Sequence, residues 1–315
     1  MSGVGSQQSV SRSAVVTFFR RIIKEKPLGT VGAAITALLL LVGIFADLLA
    51  PYGMNETNME QPLEAPSDSN WLGTDDLGRD VLTRVIYGAR VSMIVGLSGA
   101  TLATLISVLI GLISGYLGGT FDLLVQRLVD AWMSLPDLIV LMVIIAFLGG
   151  GMVSIIVVLG LAGGITGSRI IRGAVITTKE DAYVTAASAI GGRTSRVLLR
   201  HILPNVLAPA VILLTLRVPA IILSEASLSF LGFGIQPPFP SWGAMLSGRS
   251  REFMFVAPWT VLWPGLALAT VVYGTNMFGD AARDILDPKL RGGVGRFGVK
   301  VVKAVKAARR TRSRR

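Results

Sequence analysis

Six long apolar runs alternate with polar connectors along this chain, and that alternation predicts a bundle of membrane helices. The runs fall near Leu28–Ala50, Val91–Gly115, Leu123–Leu148, Met152–Ile171, Leu207–Leu223 and Pro258–Phe278. Each approaches the about 20 apolar residues that a helix needs to cross the hydrocarbon core. Arg20, Arg21, Lys24 and Lys26 precede the first run, as they would in a secretory signal. The run exceeds the roughly 7–15 residues of a signal core, and more membrane sequence follows, so it reads as a retained anchor. Arg127, Asp130 and Asp137 interrupt the third run, the least regular of the six.

The connectors carry patterns of their own. Residues 51–75 are rich in Pro, Asn and acids, which suits an external loop. Asp75 or Asp76 is placed to cap a following helix. On it, Leu77, Val81, Leu82, Val85, Ile86 and Ala89 share one face, and Arg79, Asp80, Thr83 and Arg84 the other. That stretch reads as an interfacial amphipathic helix feeding the second span, or as a plain extension of that span.

The polar insert at 180–204, EDAYVTAASAIGGRTSRVLLRHILP, stands out between apolar runs. Thr177 with Glu180, and Thr178 with Asp181, have capping-box spacing, so a helix is expected to start there and run to Ile190. Gly191 and Gly192 then supply left-handed residues that end a helix and turn the chain. A second short helix over about Thr194–Leu203 would precede Pro204, which opens the next span. The Ala-rich first helix can seat in a groove with little loss of side-chain entropy. From the residues alone the insert is either a docking element or a solvated connector.

Composition and charge sharpen this picture. Apolar residues fill 52% of 315 positions and charged ones only 16%, with mean hydropathy +0.65, which excludes a soluble domain. The 36 glycines suit a bundle in which helix backbones approach closely. Five Lys/Arg precede the first span, six lie within 169–203 and twelve follow Asp280. The 51–90 connector has three against seven acids, and 225–257 has two against two. By the positive-inside rule the N-terminus, the 169–203 loop and the tail face the cytoplasm. Six spans with both ends inside satisfy that count. The expected organisation is a cytoplasmic segment 1–27, a first span 28–50, an external loop 51–90, a core 91–281 holding the cytoplasmic loop 172–204, and a basic tail 282–315. With no cysteine and one histidine, His201, disulfides and multi-histidine metal sites are excluded.

Several segments carry a family resemblance. Ala186-Ala187, then Gly191, then Leu203-Pro204 resembles the EAA loop of ABC-importer permeases. WLGTDDLGRDVLTRVIYGARVS (71–92), EASLSFLGFGIQPPFPSWGAML (225–246) and GDAARDILDP (279–288) resemble the second permease of dipeptide/oligopeptide (nickel or glutathione) importers. The resemblance implies an all-α polytopic protein with the type I ABC-importer fold and a multi-pass place in a bacterial plasma membrane. It also implies a homologous second permease, two ATP-binding cassette ATPases, an extracytoplasmic substrate-binding protein and a peptide substrate. The 180–204 loop would be the coupling helix, with Glu180, Asp181, Tyr183, Ala186, Ala187, Gly191, Leu203 and Pro204 at the ATPase. Thr185 stands where the general motif has Glu, so no ion pair of that Glu carries over.

The chain has no G-x-x-x-x-G-K-[ST] phosphate loop. It is therefore not expected to be an enzyme or to hold a cofactor; ATP would be bound by the partner subunits. Intramembrane charges are functional candidates. Asp137 and Arg217, at similar depth, are expected to face the bundle interior, paired or lining the pathway. Glu225, at the start of the second external loop, is a gate residue or simply solvated. Trp242, Trp259 and Trp263 read as interface anchors, and Arg127 with Asp130 as a local pair. Lys300, Lys303 and Lys306 recur on one face of a tail that lies on anionic membrane lipid or is solvated; nucleic-acid binding fits it poorly. The competing functions are an ion-coupled secondary transporter using Asp137, Arg217 and Glu225 directly, and a passive scaffold.

Overall fold

A computed structural model describes residues 20–57 and 62–286; the basic tail lies outside the described residues. A helical turn at 20–25 leads into α1 (Pro27–Ile44), followed by the single turn α2 (Ala46–Leu49). Arg90 ends α1. Its guanidinium donates to the carbonyls of Gly43 at 2.8 Å and Ile44 at 3.2 Å, where the helix leaves acceptors unmatched. The same guanidinium pairs with Asp47 at 2.8 Å and, with the Tyr87 hydroxyl, holds the Asp47 carboxyl below its usual range.

The 81–90 stretch is the start of a 37-residue helix, α3 (Val81–Leu117), and not a separate interfacial helix. Neither Asp75 nor Asp76 caps it. Asp75 is already engaged by the Leu77 and Arg79 amides at 2.9 Å and the Arg79 side chain at 2.7 Å. Asp80 caps instead, accepting the Thr83 amide at 2.7 Å and held by Asn70 at 3.0 Å. At 1.5 Å per residue α3 spans roughly 55 Å, well beyond the about 30 Å of hydrocarbon, so part of it extends past the membrane core.

The third apolar run is not one helix. It forms α4 (Gly119–Met133) and α5 (Asp137–Leu148), bent by 91°. Pro136 explains the break, since it disfavours helical backbone at Leu135 before it. Among the described residues, five helices are thus long and apolar enough to cross a membrane alone, or six with the bent pair as one span. The polar side of α4 is matched by α6 (Met152–Lys179): Asp122 takes a bidentate bond from Arg172 at 2.6 and 2.5 Å, and Asp130 pairs with Arg169. The expected Arg127–Asp130 contact is present at 3.9 Å, secondary to Arg169.

Downstream come α7 (Ala182–Ala189), then the 37-residue α8 (Thr194–Phe230), the single turns α9 (Trp242–Met245) and α10 (Arg249–Glu252), and α11 (Trp259–Leu286). The described residues hold no β-strand, only an isolated bridge between Thr74 and Asp80.

At the centre α3 packs along α6. The Ser107 hydroxyl donates to the Gly164 carbonyl at 2.9 Å, an approach that only small residues permit. A Cβ on Gly164 would lie 2.6 Å from Ile106, and one on Gly111 2.7 Å from the Ser168 carbonyl. Half of the apolar window of α6 is buried against 17% of α1, so α6 is the core and α1 the flank. Lys26 fastens that flank to Asp284 of α11 at 2.5 Å.

Gly164→Leu should therefore force α3 and α6 apart and cost about 1–3 kcal/mol or more by overpacking. The expected outcome is a lower thermal unfolding midpoint in detergent, followed by tryptophan fluorescence. An unchanged midpoint would refute the close packing.

Candidate functional site

The sequence-predicted coupling residues gather at one end of the bundle, where the chain leaves α6, makes α7 and re-enters as α8. Its start differs from expectation. Thr177 and Thr178 do not cap α7; they lie in the last turn of α6, their hydroxyls bonded back to the Gly173 and Ala174 carbonyls at 3.1 and 2.9 Å. The hydroxyl finds an acceptor within its own helix, so α6 continues to Lys179. Glu180 caps that helix and Asp181 turns the chain, both exposed, with no side-chain cap on α7.

Only one α7 side chain is buried. Val184 enters an apolar cluster with Ile171, Val175, Val197, Ile202 and Val206, pinning α7 across α6 and α8. Tyr183 adds a brace: Asn205 of α8 donates to its hydroxyl at 2.9 Å and to the His201 carbonyl at 2.6 Å. Thr185, Ala186 and Ser188 are exposed, and Ala187 is half-buried. With Ala182 and Ala189 also exposed, α7 presents a shallow outer face of small side chains.

The glycine elbow closes as the pattern predicts. Gly191 has φ +81°, a left-handed value that glycine adopts without a Cβ penalty. The Gly191 amide donates to the Ser188 carbonyl and the Gly192 amide to the Ala187 carbonyl, both at 3.1 Å, forming a Schellman end.

After the elbow the expected short helix and fifth span are one rod. Thr194–Val197 is α-helical, Leu198–Ile202 is a π-turn, and α-helix resumes at Leu203. Pro204 accounts for the joint rather than for a fresh start. Its ring would press on the Arg200 carbonyl in a regular helix, and widening the turn so that the Leu203 amide bonds Leu198 relieves that clash. Leu203 packs on the apolar cluster, and Pro204 is exposed.

The three pathway candidates do not form one site. Arg217 is half-buried and donates to the Thr166 hydroxyl of α6 at 2.8 Å. Asp137, exposed at the first turn of α5, lies within electrostatic reach of Arg217 but makes no ion pair with it. Glu225 lies eight residues from Arg217 on α8, about 12 Å along the axis. It is neither solvated nor at the start of a loop. It has no exposed surface, and one carboxylate oxygen accepts the Ser229 and Ser241 hydroxyls at 2.7 and 2.6 Å. The cause is that α8 runs on to Phe230 and residues 231–241 fold back over it, with the Ile235 amide bonded to Ser229 at 3.1 Å.

The tryptophans change role as well. Trp242 is buried and donates to the Val85 carbonyl at 3.0 Å; Trp259 donates to the Thr74 carbonyl at 3.1 Å. Trp242 ties the 225–260 region to α3 and Trp259 ties it to the loop before α3, a packing role that spacing did not reveal. Sequence reading missed the Asp75–Arg79–Arg84 and Asp122–Arg172 ion pairs. The signal was present: a charge near a membrane span comes with a partner.

Glu225→Gln keeps an acceptor for both serines and should leave stability near wild type. Glu225→Ala strands two buried hydroxyls and should cost about 1–3 kcal/mol. Thermal unfolding of the two variants checks this; equal midpoints would show that the serines find other acceptors.

Comparison with known proteins fits this geometry. The family model for the binding-protein-dependent transport system inner membrane component matches residues 107–292, and that for the N-terminal TM domain of oligopeptide transport permease C matches residues 17–66. The dipeptide transport system permease protein DppC of Alkalihalophilus pseudofirmus is 41% identical over 269 residues, 85% of this chain and 88% of the relative. The oligopeptide transport system permease protein OppC of Bacillus subtilis is 36% identical over 292 residues, 92% of this chain and 95% of the relative. The glutathione transport system permease protein GsiD of Escherichia coli is 36% identical over 276 residues, 87% and 90% of the two chains. An all-helical membrane bundle, an elbow exposed at one end and relatives aligned over most of their length lead to one conclusion: this chain belongs to the binding-protein-dependent inner membrane components, the permeases of ABC importers.

Proposed function

We propose that this chain is the second permease subunit of an ATP-driven importer of di- and oligopeptides and forms half of the translocation pathway. The peptide class follows from relatives named for dipeptide, oligopeptide and glutathione transport. A homologous permease supplies the other half of the pathway, an extracytoplasmic binding protein delivers substrate, and two ATPase subunits bind and hydrolyse ATP. The N-terminus, the 172–204 loop and the tail face the cytoplasm, as the Lys/Arg distribution supports.

The observation that carries this reading is the exposed α7 elbow. A mere connector between α6 and α8 needs no helix held by Val184, braced by Tyr183 and closed by a Schellman turn. In this mechanism α7 seats on one ATPase subunit through Ala186 and Ala187, with Glu180 and Asp181 at its leading corner. Closure of the ATPases displaces α7 as a rigid handle. Because α6 and α8 continue directly into membrane spans, the displacement biases an equilibrium between inward- and outward-open bundles. Arg217 and Asp137 line the pathway, where separated opposite charges suit the two termini of a peptide. Glu225, fully enclosed, serves the fold of the opposite end. An ion-coupled transporter would leave the elbow without a partner, and no feature of the site favours it.

Ala187→Trp puts a bulky ring on the seating face, and Gly191→Val forces a β-branched residue into left-handed backbone at a cost of about 1–2 kcal/mol. Each is expected to lower copurification with the ATPase subunits and to reduce ATP-dependent peptide uptake in proteoliposomes by about tenfold or more. Normal assembly and uptake in both variants would sink the coupling assignment, and uptake without any ATPase subunit would sink the ABC mechanism.

A further inference from the structure

The basic side chains at the elbow end fall into two groups. Arg169 pairs with Asp130, Arg172 with Asp122, and Lys179 donates to the Tyr116 carbonyl. Arg193, Arg196 and Arg200 have no ion-pair or hydrogen-bond partner among the described residues, and all three are exposed. They lie around one groove of about 880 Å³, formed between the C-terminal end of α7, the elbow and the first turns of α8. Its apolar lining comes from Ala187, Ile190, Val197 and Leu199, and no carboxylate lines it. Ile190 stands almost bare at the lip while Val197 is buried.

Three unpaired guanidiniums around a partly apolar groove form a socket with a sign. Like charges gathered this closely repel one another, and an opposite charge relieves that repulsion. The chain does not supply it. Residues 287–315 contain eleven Lys/Arg and a single acid, Asp287, so that segment would be repelled from the groove. We propose that the groove receives an acidic segment of the partner ATPase subunit, with an apolar side chain against the exposed Ile190 and Leu199 and flanking carboxylates on Arg193, Arg196 and Arg200. This rests on the docking role of α7 and adds the chemistry of the partner surface. Arginine suits it, because its planar fork meets a carboxylate in two parallel bonds. The apolar lining beside the three guanidiniums suits a protein segment, which presents apolar and acidic side chains together.

The test uses the full-length permease pair in nanodiscs, with purified ATPase subunits titrated at two salt concentrations. Arg193→Gln, Arg196→Gln and Arg200→Gln together are expected to weaken ATPase binding by about tenfold near 0.05 M salt and only slightly near 0.5 M. Lysine at the three positions should retain the salt dependence of wild type. Equal affinities and equal salt slopes for wild type and the glutamine variant would overturn the proposal, as would wild-type binding that ignores salt. Repeating the titration in neutral-lipid nanodiscs separates the other source: a loss seen only with anionic lipid means that headgroups occupy the groove, and the proposal fails. Ala187→Trp is measured in parallel. If it binds normally, the docking role itself falls; if it fails to bind while the glutamine variant matches wild type, only the acidic-partner inference falls. Matching size-exclusion profiles and unfolding midpoints confirm that the exposed substitutions leave the bundle folded.

Discussion

Between α3 and α6 the backbones approach until a serine hydroxyl on one helix reaches a glycine carbonyl on the other, and most of the molecule is placed by that contact. Within a bilayer there is no hydrophobic gain in bringing two apolar helices together, so association depends on close packing and internal polar bonds. Small residues at Ser107, Gly111 and Gly164 provide both. With α6 held along α3, the α6 arginines at 169 and 172 meet the α4 aspartates. The end of α6 is then set at the height where the chain must turn into α7.

Function follows from what is left rigid and what is left bare. At the elbow end, Val184 and Tyr183 attach α7 to the two helices that flank it, while its small outer side chains remain exposed. At the other end, Glu225, Ser229 and Ser241 bind the returning loop to α8, and Trp242 binds it to α3. Helix α8 joins these two ends without interruption. Along it lie the π-turn at Leu198–Ile202, Arg217 with its bond to Thr166, and the Glu225 knot.

Much of this was legible in the chain itself, because the signals were local. Apolar runs marked the spans, and paired glycines after an Ala-rich stretch marked the elbow where a Schellman turn forms. Where the outcome differs, a side chain has a partner that spacing alone does not reveal, close by in some cases and distant in others. Thr177 and Thr178 had capping spacing but bonded to their own helix. Asp75 looked like a cap but was already occupied by Arg79. Glu225 looked like a loop residue until the 231–241 return covered it. Trp242 and Trp259 carried the composition of interface anchors but found backbone carbonyls from residues far away in sequence.

Class, approximate spans, the glycine elbow and the absence of a phosphate loop were set by sequence alone, since each depends on residue type and spacing within one segment. Tertiary structure alone decided that Asp137, Arg217 and Glu225 belong to different environments, whereas the bend at Pro136 and the π-turn before Pro204 are local effects of proline. It also separated the paired arginines of α6 from the unpaired ones past the elbow. The reason is physical: burial and ion pairing depend on which groups arrive from elsewhere in the fold, and no local pattern records that arrival.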